Sequence, residues 1–221
     1  MDNLLSFDYL PGTDIYLYQR RDMFRMNTDT ALLGHFMRVK ENDTVLDIGC
    51  NNGALLLYAS QYTKGKLIGV DIQKEACELA EKNLAYHKLT NSMICCADAT
   101  AFECEPCDVV VCNPPYFRVT HEDQLNESLA KRIARHETNL DFETLAAKVS
   151  QCLKENGRFY LVHRCDRLTD LLCGLRKVEL EMKTMQLIRD ENKEHPHGVL
   201  IEAVKHGKSG CIVLPEHIVR R

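Results

Sequence analysis

Apolar, strand-like runs alternate with amphipathic helical segments from residue 44 onward, and this alternation constrains the fold more than any other feature. The run TVLDIG precedes the helical segment ALLLYASQY, and KLIGVDI precedes QKEACELAEKNLAYHK, in which apolar residues recur at helical spacing. The whole pattern predicts strands over 44–49, 66–72, 92–98, 107–113, 157–163, 182–189, 198–205 and 211–214, and helices over 54–62, 73–88, 141–154 and 166–177.

This order of elements predicts an α/β fold, because strands that alternate with helices form a mostly parallel sheet covered on both faces. The 221 residues suit one domain, which we expect to carry a short N-terminal extension over 1–40. Asp141 is the predicted N-cap of the helix over 141–154, and Asn156-Gly157 is its predicted stop. Residues 118–138 form a long charged insertion that we expect to lie over the site.

The composition is that of a soluble globular protein, with 45% hydrophobic and 27% charged residues. No apolar run approaches the roughly 20 residues that a membrane span requires. The N-terminus, MDNLLSFDYLPGTDIY, is acidic and polar rather than basic and apolar, unlike a secretory signal. We therefore expect a cytoplasmic protein with no membrane partner.

The chain has eleven cysteines, most of them inside apolar runs, which predicts reduced thiols rather than a disulfide framework. Cys104 and Cys107 form a C-x-x-C pair, and Cys95-Cys96 lies shortly before it. A zinc site needs convergent ligands, whereas adjacent cysteines in a strand point to opposite faces. We predict no metal site.

The charge is slightly acidic overall, at −4, but basic residues cluster locally in a first basic segment, YQRRDMFR (18–25), and a second basic segment, KRIARH (131–136). This balance argues against indiscriminate coating of nucleic acid and leaves room for a local basic face. A solvated surface explains each segment equally well. The candidate RNA-binding residues of the two segments are Arg20, Arg21, Arg25, Lys131, Arg132 and Arg135.

Acidic residues lie at or just past the ends of three successive predicted strands, where parallel sheets bind their ligands. Asp47 precedes a turn that contains Gly49 and Gly53, and an acidic residue there suits a cationic ligand. Asp71 lies 22 residues beyond Gly49, the offset at which a carboxylate accepts the ribose hydroxyls of an adenosine-containing cofactor. Asp98 is placed to accept a hydrogen bond from an adenine amine. Each of these residues alone is an ordinary capping or turn residue.

The next strand ends in the sequence VVVCNPPYF, in which Asn113 and two prolines precede two aromatic residues. Proline lacks a backbone donor and restricts its predecessor, so the strand must end here. A plain strand stop explains these residues, since Asn and Pro are common in turns.

With these residues in place, the chain resembles the class I S-adenosylmethionine-dependent methyltransferases over about residues 20–205. Asn113-Pro114-Pro115-Tyr116 is similar to the N-P-P-Y motif of the members that methylate amines. FRMNTDTALLGHF (24–36), ARHE (134–137) and VLIEAVKHG (199–207) resemble the bacterial tRNA adenine-N6 methyltransferases that act on position 37 of a valine tRNA.

The resemblance implies a Rossmann-like fold with a seven-stranded, mostly parallel sheet, S-adenosylmethionine as cofactor and tRNA as substrate. It also implies catalysis at Asn113, Pro114, Pro115 and Tyr116, with Tyr116 and Phe117 against the substrate. The implied cofactor-binding residues are Thr28, Asp29, Thr30, Asp47, Gly49, Asn51, Gly53, Asp71, Ile72, Asp98, Ala99 and Asn113.

The resemblance leaves two points to settle, the role of residues 27–30 and the effect of Asn51 on cofactor binding. Residues 27–30 would lie over the methionine end of the cofactor, but Thr28 or Asp29 as a helix N-cap explains them equally well. Asn51 stands where the family has glycine, and asparagine tolerates a positive φ better than most residues. We therefore expect cofactor binding to survive this departure.

Other functions remain open from the sequence. An rRNA amine or the glutamine amide of a release factor could be the acceptor, although glutamine enzymes carry an N-terminal helical domain and only some forty residues precede the first predicted strand here. A DNA methyltransferase would be expected to carry a target-recognition domain, and none is visible in this sequence. An NAD-dependent dehydrogenase would need G-x-G-x-x-G where this chain has GCNNGA. A non-catalytic nucleotide-binding protein is a further alternative. The oligomeric state, monomer or homodimer, is left open.

Overall fold

The N-terminal extension contains two strands that the sequence analysis did not predict. The computed structural model of the protein describes residues 4–103, 105–114 and 142–220. Strand β1 (Leu5–Tyr9) pairs in antiparallel fashion with β2 (Tyr16–Arg20), so the statement that some forty residues precede the first strand was wrong.

A second, larger sheet forms the centre of the molecule. Its strands are β3 (Val45–Ile48), β4 (Leu67–Asp71), β5 (Ser92–Cys96), β6 (Cys107–Cys112), β7 (Leu153–Arg164), β8 (Leu180–Asp190), β9 (Gly198–Lys205), β10 (Ile212–Val213) and β11 (His217–Val219). The order across the sheet is β10-β8-β9-β7-β6-β3-β4-β5, with β11 also paired to β8.

The predicted seven-stranded, mostly parallel sheet is confirmed in β3 to β9. Strands β3 to β7 run parallel to one another, and β9 lies antiparallel between β7 and β8. The short strands β10 and β11 extend the sheet at the β8 edge and run parallel to β8. Strand β10 lies within the strand predicted over 211–214, whereas β11 was not predicted.

Helices cover both faces of the sheet, as the sequence predicted. They are α1 (Thr28–Phe36), α2 (Ala54–Ser60), α3 (Lys74–Tyr86), α4 (Phe142–Cys152) and α5 (Leu168–Lys177), with a 3₁₀ turn over Cys165–Arg167. Because strand side chains alternate between faces, Leu46 and Val110 pack in the core beneath α4 and α5. Val45 and Val109, their neighbours in the chain, pack in the core beneath α1, α2 and α3.

The junction between α4 and β7 differs from the prediction. The helix ends at Cys152 and β7 begins at Leu153, so Asn156-Gly157 is not the helix stop. Asn156 has a φ of 59° and lies in an irregular stretch where β7 carries extra residues relative to β6. Asparagine tolerates a positive φ, and here that conformation occurs at a strand bulge. The same tolerance is why Asn156 was predicted to end a helix. Asp141, the predicted cap, lies outside the described residues.

The strand order reverses between β3 and β6, whose carboxyl ends lie side by side. In open α/β sheets this reversal creates a crevice at the carboxyl edge. Asp47 lies in β3, Asp71 ends β4 and Asn113 directly follows β6, so all three residues lie at this edge and position the candidate site. None of the helices in the described part of the chain is both long and apolar enough to cross a membrane.

Candidate active site

The turn after β3 has the backbone conformation that glycine favours at three positions. Gly49, Asn51 and Gly53 have φ values of 75°, 45° and 79°. A Cβ added at Gly49 would meet no atom within 4 Å, so open space lies directly above this backbone. The turn therefore leaves room for a ligand to approach the main chain. Asn51 adopts the positive φ that the sequence analysis assigned to it.

The side chain of Asn51 joins this turn to the N-terminal extension. Its Nδ2 donates to the carbonyl of Phe24 at 2.7 Å, an interaction that glycine could not make. Its Oδ1 is buried and has no hydrogen-bond partner among the described residues. A buried acceptor without a partner is unfavourable, so Oδ1 offers a bond to a donor on a bound ligand.

Asp47 is the most deeply buried carboxylate at this edge, with 1% of its surface exposed. Its Oδ1 has no hydrogen-bond partner in the described structure. Burial and the nearby charge of Asp71 raise the pKa of Asp47 well above its usual range. A carboxylate in this state gains from a cation placed against it, which agrees with the cationic ligand expected from the sequence.

Asp71, the last residue of β4, uses both carboxylate oxygens to hold the surrounding loops. Oδ2 accepts the backbone N–H of Asn51 at 2.9 Å, and Oδ1 accepts that of Gln73 at 3.0 Å. Burial raises the pKa of Asp71, and these backbone donors oppose the rise. Because each carboxylate oxygen can accept a second hydrogen bond, Asp71 can still receive a pair of hydroxyls.

Three residues assigned to cofactor binding, of which Asp98 was expected to contact the adenine amine, follow β4 and β5. Ile72 is 39% exposed, an apolar surface against which a flat ring could pack. Asp98 is exposed, and its Oδ1 accepts the backbone N–H and the hydroxyl of Thr100, both at 2.8 Å. These bonds lower the pKa of Asp98, so it stays an ionised acceptor. Ala99 is half-buried beside it.

The start of α1 differs from the capping predicted at Thr28 or Asp29. Asn27 is the N-cap, and its Oδ1 accepts the backbone N–H of Thr30 at 2.9 Å. The Thr30 hydroxyl lies 3.5 Å from the backbone N–H of Asn27, which completes a capping box. Asn27 carries the acceptor at the position where a cap is needed, so Thr28 and Asp29 lie within the first turn.

Asn113 follows the last residue of β6 and is half-buried. Its Nδ2 donates to the Thr30 hydroxyl oxygen at 3.0 Å, which connects the end of β6 to the first turn of α1. Pro114 follows in the described chain. Pro115, Tyr116 and Phe117 lie outside the described residues, so their assigned functions remain predictions.

Two of the three arginines in the first basic segment are paired with carboxylates. Arg20 contacts Asp22 at 2.7 Å, and Arg25 contacts Asp8 at 2.8 Å. Arg21 is exposed and has no ion pair with any described residue. The second basic segment, with Lys131, Arg132 and Arg135, lies outside the described residues.

Sequence reasoning missed a set of buried amides that hold the hairpin of β1 and β2 against the site. Asn83 accepts the backbone N–H of Tyr18 at 2.7 Å and donates to the carbonyls of Tyr18 and Asn52. Gln19 accepts from the side chain of Asn52 and from the backbone N–H of Met26. The available signal was Asn83 itself, a polar residue on the apolar face of a predicted helix.

Among the described residues, the cysteines and the possible metal ligands form no second site. The ten cysteines that the structure describes form no disulfide with one another, and Cys104, half of the C-x-x-C pair, lies outside the described residues. Within the described ranges, no group of three or more His, Cys, Asp or Glu residues is placed to hold a metal ion.

Comparison with known proteins identifies the family. Residues 39–210 match the methyltransferase domain family. The tRNA1(Val) (adenine(37)-N6)-methyltransferase of Phocaeicola vulgatus is 29% identical, covering 93% of this chain and 87% of the relative. The protein of the same description from Dyadobacter fermentans is 32% identical, covering 83% and 82%.

A solved structure shows the same fold. A protein from Agrobacterium tumefaciens, described as a predicted O-methyltransferase, superimposes with a TM-score of 0.67 at 16% identity, over 86% of this chain and 87% of its own. At that identity the likeness concerns the fold alone, and the sequence match to the domain carries the assignment. The chain belongs to the methyltransferase family.

Proposed function

We propose that this enzyme transfers a methyl group from S-adenosylmethionine to the exocyclic N6 amine of an adenosine in tRNA, at position 37 of a valine tRNA. The names of the two curated relatives support this acceptor. The observation that carries the proposal is the amide of Asn113, which lies at the carboxyl end of β6 and is held through Nδ2 by Thr30. Its Oδ1 is thereby left to accept from an amine.

The residues at the carboxyl edge fit this cofactor. The unpartnered carboxylate of Asp47 suits a positively charged ligand, and Asp71 can accept from the two hydroxyls of a ribose. Ile72 and Asp98 suit the face and the amine of adenine. When bound, S-adenosylmethionine supplies an electrophilic methyl group.

Asn113 and Pro114 would prepare the acceptor amine for methylation. An exocyclic amine is a poor nucleophile because its lone pair is delocalised into the aromatic ring. If Asn113 Oδ1 and the Pro114 carbonyl accept its two N–H bonds, the nitrogen is biased toward tetrahedral geometry and its lone pair becomes available. No general base is needed beforehand, since a proton can leave after transfer. Catalysis then rests on positioning and electrostatics.

Tyr116 and Phe117 would provide aromatic surface on which the target adenine stacks once it has flipped out of the RNA. Stacking of one base on an aromatic side chain contributes about 1–3 kcal/mol, which offsets the cost of unstacking. We further propose one methyltransferase domain with an extension over 1–40 that works in the cytoplasm, where its tRNA substrate is.

Replacement of Asn113 by Ala tests the proposal. Single-turnover methyl transfer to a valine tRNA transcript should fall about 100-fold or more, as on loss of one preorganised polar group at a transition state. Cofactor affinity, measured by calorimetry, should change little because the side-chain oxygen faces the acceptor. Asn113→Asp keeps an acceptor and should retain more activity than Asn113→Ala.

Two controls show whether the lower rate of Asn113→Ala reflects unfolding and whether the methylated acceptor is the expected adenosine. Thermal denaturation should show both variants folded. Mass spectrometry of the product nucleosides should find N6-methyladenosine in the valine tRNA, and none when the adenosine at position 37 is replaced by guanosine. Methylation of ribosomal RNA or of a release-factor glutamine instead would identify one of the alternative acceptors. A folded Asn113→Ala enzyme with the wild-type rate would show that Asn113 is only part of a strand stop.

A further inference from the structure

We propose that Asn27 and Thr30 form a hydrogen-bond relay that fixes the orientation of the Asn113 side-chain amide. This inference rests on the proposed function, in which Asn113 Oδ1 accepts from the substrate amine. It makes Thr30 a positioning residue of the acceptor site, although the sequence assigned Thr30 to the cofactor.

The relay begins at a backbone group whose polarity cannot change. The backbone N–H of Thr30 can only donate, and it lies 2.9 Å from Asn27 Oδ1. The carbonyl oxygen of the Asn27 side chain must therefore face α1, because its NH₂ group would meet another donor at this position. The helix cap thus determines which way the Asn27 amide points.

The second step determines the direction of the Thr30 hydroxyl. Thr30 Oγ1 lies 3.0 Å from the same Asn27 Oδ1, which has no proton to give. The single hydroxyl proton of Thr30 is therefore directed to Asn27. Thr30 is 6% exposed, so bulk water has little access to compete for this bond. Toward any other neighbour, Thr30 Oγ1 can act only as an acceptor.

The third step determines the orientation of Asn113. Its side chain approaches Thr30 Oγ1 at 3.0 Å, and because that oxygen can only accept, the contact must come from Nδ2. The other end of the amide, Oδ1, is therefore directed away from Thr30. A flipped amide would place two acceptors against each other at Thr30 and would present N–H donors to the substrate amine. The relay favours the one orientation that can accept from that amine.

Substitution at Thr30 tests the relay. Thr30→Val keeps the shape but removes the three hydrogen bonds of the Thr30 hydroxyl, with the Asn27 backbone, the Asn27 side chain and Asn113. It should lower the single-turnover rate about tenfold, the equivalent of about 1.4 kcal/mol for the one hydrogen bond to Asn113. Thr30→Ser keeps the hydroxyl and should restore most of the rate. Thr169→Val is the matched control, since Thr169 is exposed in the first turn of α5 and should leave the rate unchanged.

Cofactor affinity distinguishes a positioning residue from a cofactor ligand. If the relay is correct, calorimetry should give the same affinity for S-adenosylmethionine in Thr30→Val and in the wild type. Weaker cofactor binding in Thr30→Val, with an unchanged rate at saturating cofactor, would overturn the relay. Thermal denaturation shows whether each variant is folded at the assay temperature, and Thr30→Ser provides the comparison if Thr30→Val is unstable.

A double-mutant cycle separates failure of the relay from failure of the proposed function. Thr30 acts only through Asn113, so Thr30→Val should have no further effect, within about twofold, in an Asn113→Ala enzyme. If Asn113→Ala is slow but Thr30→Val alone has the wild-type rate, the relay is wrong and the proposed function stands. If Asn113→Ala itself has the wild-type rate, the proposed function is wrong.

Discussion

Asp47 lies within the central strand β3 with almost no exposed surface and one unpartnered oxygen. Burial and the charge of Asp71 raise its pKa well above the usual range. The folded protein therefore binds this proton more tightly than the unfolded chain does. It follows that the cofactor-free protein loses stability as pH rises from about 4 through the folded-state pKa of Asp47.

Asp47→Asn should therefore have opposite effects on stability and on binding. At pH 8 the substitution removes a buried charge and should raise the melting temperature of the cofactor-free protein, with a smaller gain at pH 5, where Asp47 is more protonated. It should weaken S-adenosylmethionine binding by about tenfold to 100-fold, the loss of a hydrogen bond to a charged group. Thermal denaturation at both pH values and calorimetry measure the two effects.

Asp98→Asn is the contrasting variant for stability. Hydrogen bonds from Thr100 lower the pKa of Asp98, so its ionised form contributes stability above about pH 4 that is lost as pH falls. Removing this carboxylate should not raise the melting temperature at pH 8. An equal loss of stability for Asp47→Asn at pH 5 and pH 8 would contradict the assignment of a costly buried charge.

Sequence reasoning could place candidate site residues at strand ends, but it could not place the hydrogen bonds that hold them. Asp71 ends its strand at a diagnostic offset from Gly49, and the positive φ of Asn51 agrees with its place in a glycine-rich turn. The hydrogen bonds of Asn51 to Phe24 and of Thr30 to Asn113 join residues far apart in the sequence. Such partners depend on how helices and strands pack, which local patterns do not contain.

At the scale of elements, the segment VLIEAVKHG (199–207) joins strand β9 to the end of helix α4. Lys205 ends β9 and its Nζ donates to the carbonyls of Ser150 at 2.7 Å and Leu153 at 3.0 Å. These groups lie at the end of α4, where helix carbonyls lack partners and the helix dipole favours a cation. His206 follows, between Glu155 and Glu179, which raise its pKa. The segment thus fastens β9 to the end of α4.

Lys205→Met should destabilise the fold without affecting the site. The methionine keeps the apolar stem but loses the ammonium group that caps α4, so the free energy of unfolding should fall by about 1 kcal/mol. Urea denaturation measures this change, with Lys208→Met, an exposed neighbour, as the control. If the two variants are equally stable, Lys205 does not cap α4.

Strands and helices with a strong hydrophobic pattern could be predicted from the sequence. Short elements that depend on contacts with distant parts of the chain could not. Strands β3, β4 and β6 are apolar because both their faces are buried, and α3 carries a clear apolar stripe. An isolated two-stranded hairpin is marginal in water, so β1 and β2 depend on their packing against α3 through Asn83. The boundary at Cys152 was missed because the cap of α4 comes from Lys205, far along the chain.

At the scale of the whole molecule, the N-terminal hairpin connects the turn after β3 to the first basic segment. Gln19 and Asn83 join β2 to the turn after β3 through Asn52. The aromatic side chain of Phe24 is 60% exposed, while its carbonyl accepts from Asn51. The backbone of the first basic segment is therefore fixed relative to the turn after β3.

The net charge of −4 means that tRNA binding must depend on local basic residues. Ion pairs with Asp22 and Asp8 already compensate Arg20 and Arg25, so these two contribute little field of their own. Arg21 is exposed and has no ion pair with a residue in the described ranges. Of the three arginines, Arg21 is therefore the one best able to contact a phosphate.

Arg21→Ala should weaken tRNA binding and reduce its dependence on salt. One lost phosphate contact should lower the slope of log affinity against log salt concentration by about 0.7–0.9. Fluorescence anisotropy with labelled valine tRNA between about 50 and 200 mM KCl measures the slope. Arg176→Ala is the control, because Arg176 pairs with Glu181 at the amino end of β8, away from the site. Equal slopes for Arg21→Ala and Arg176→Ala would show that Arg21 is only a solvated surface charge, and that phosphate contacts come from other parts of the chain.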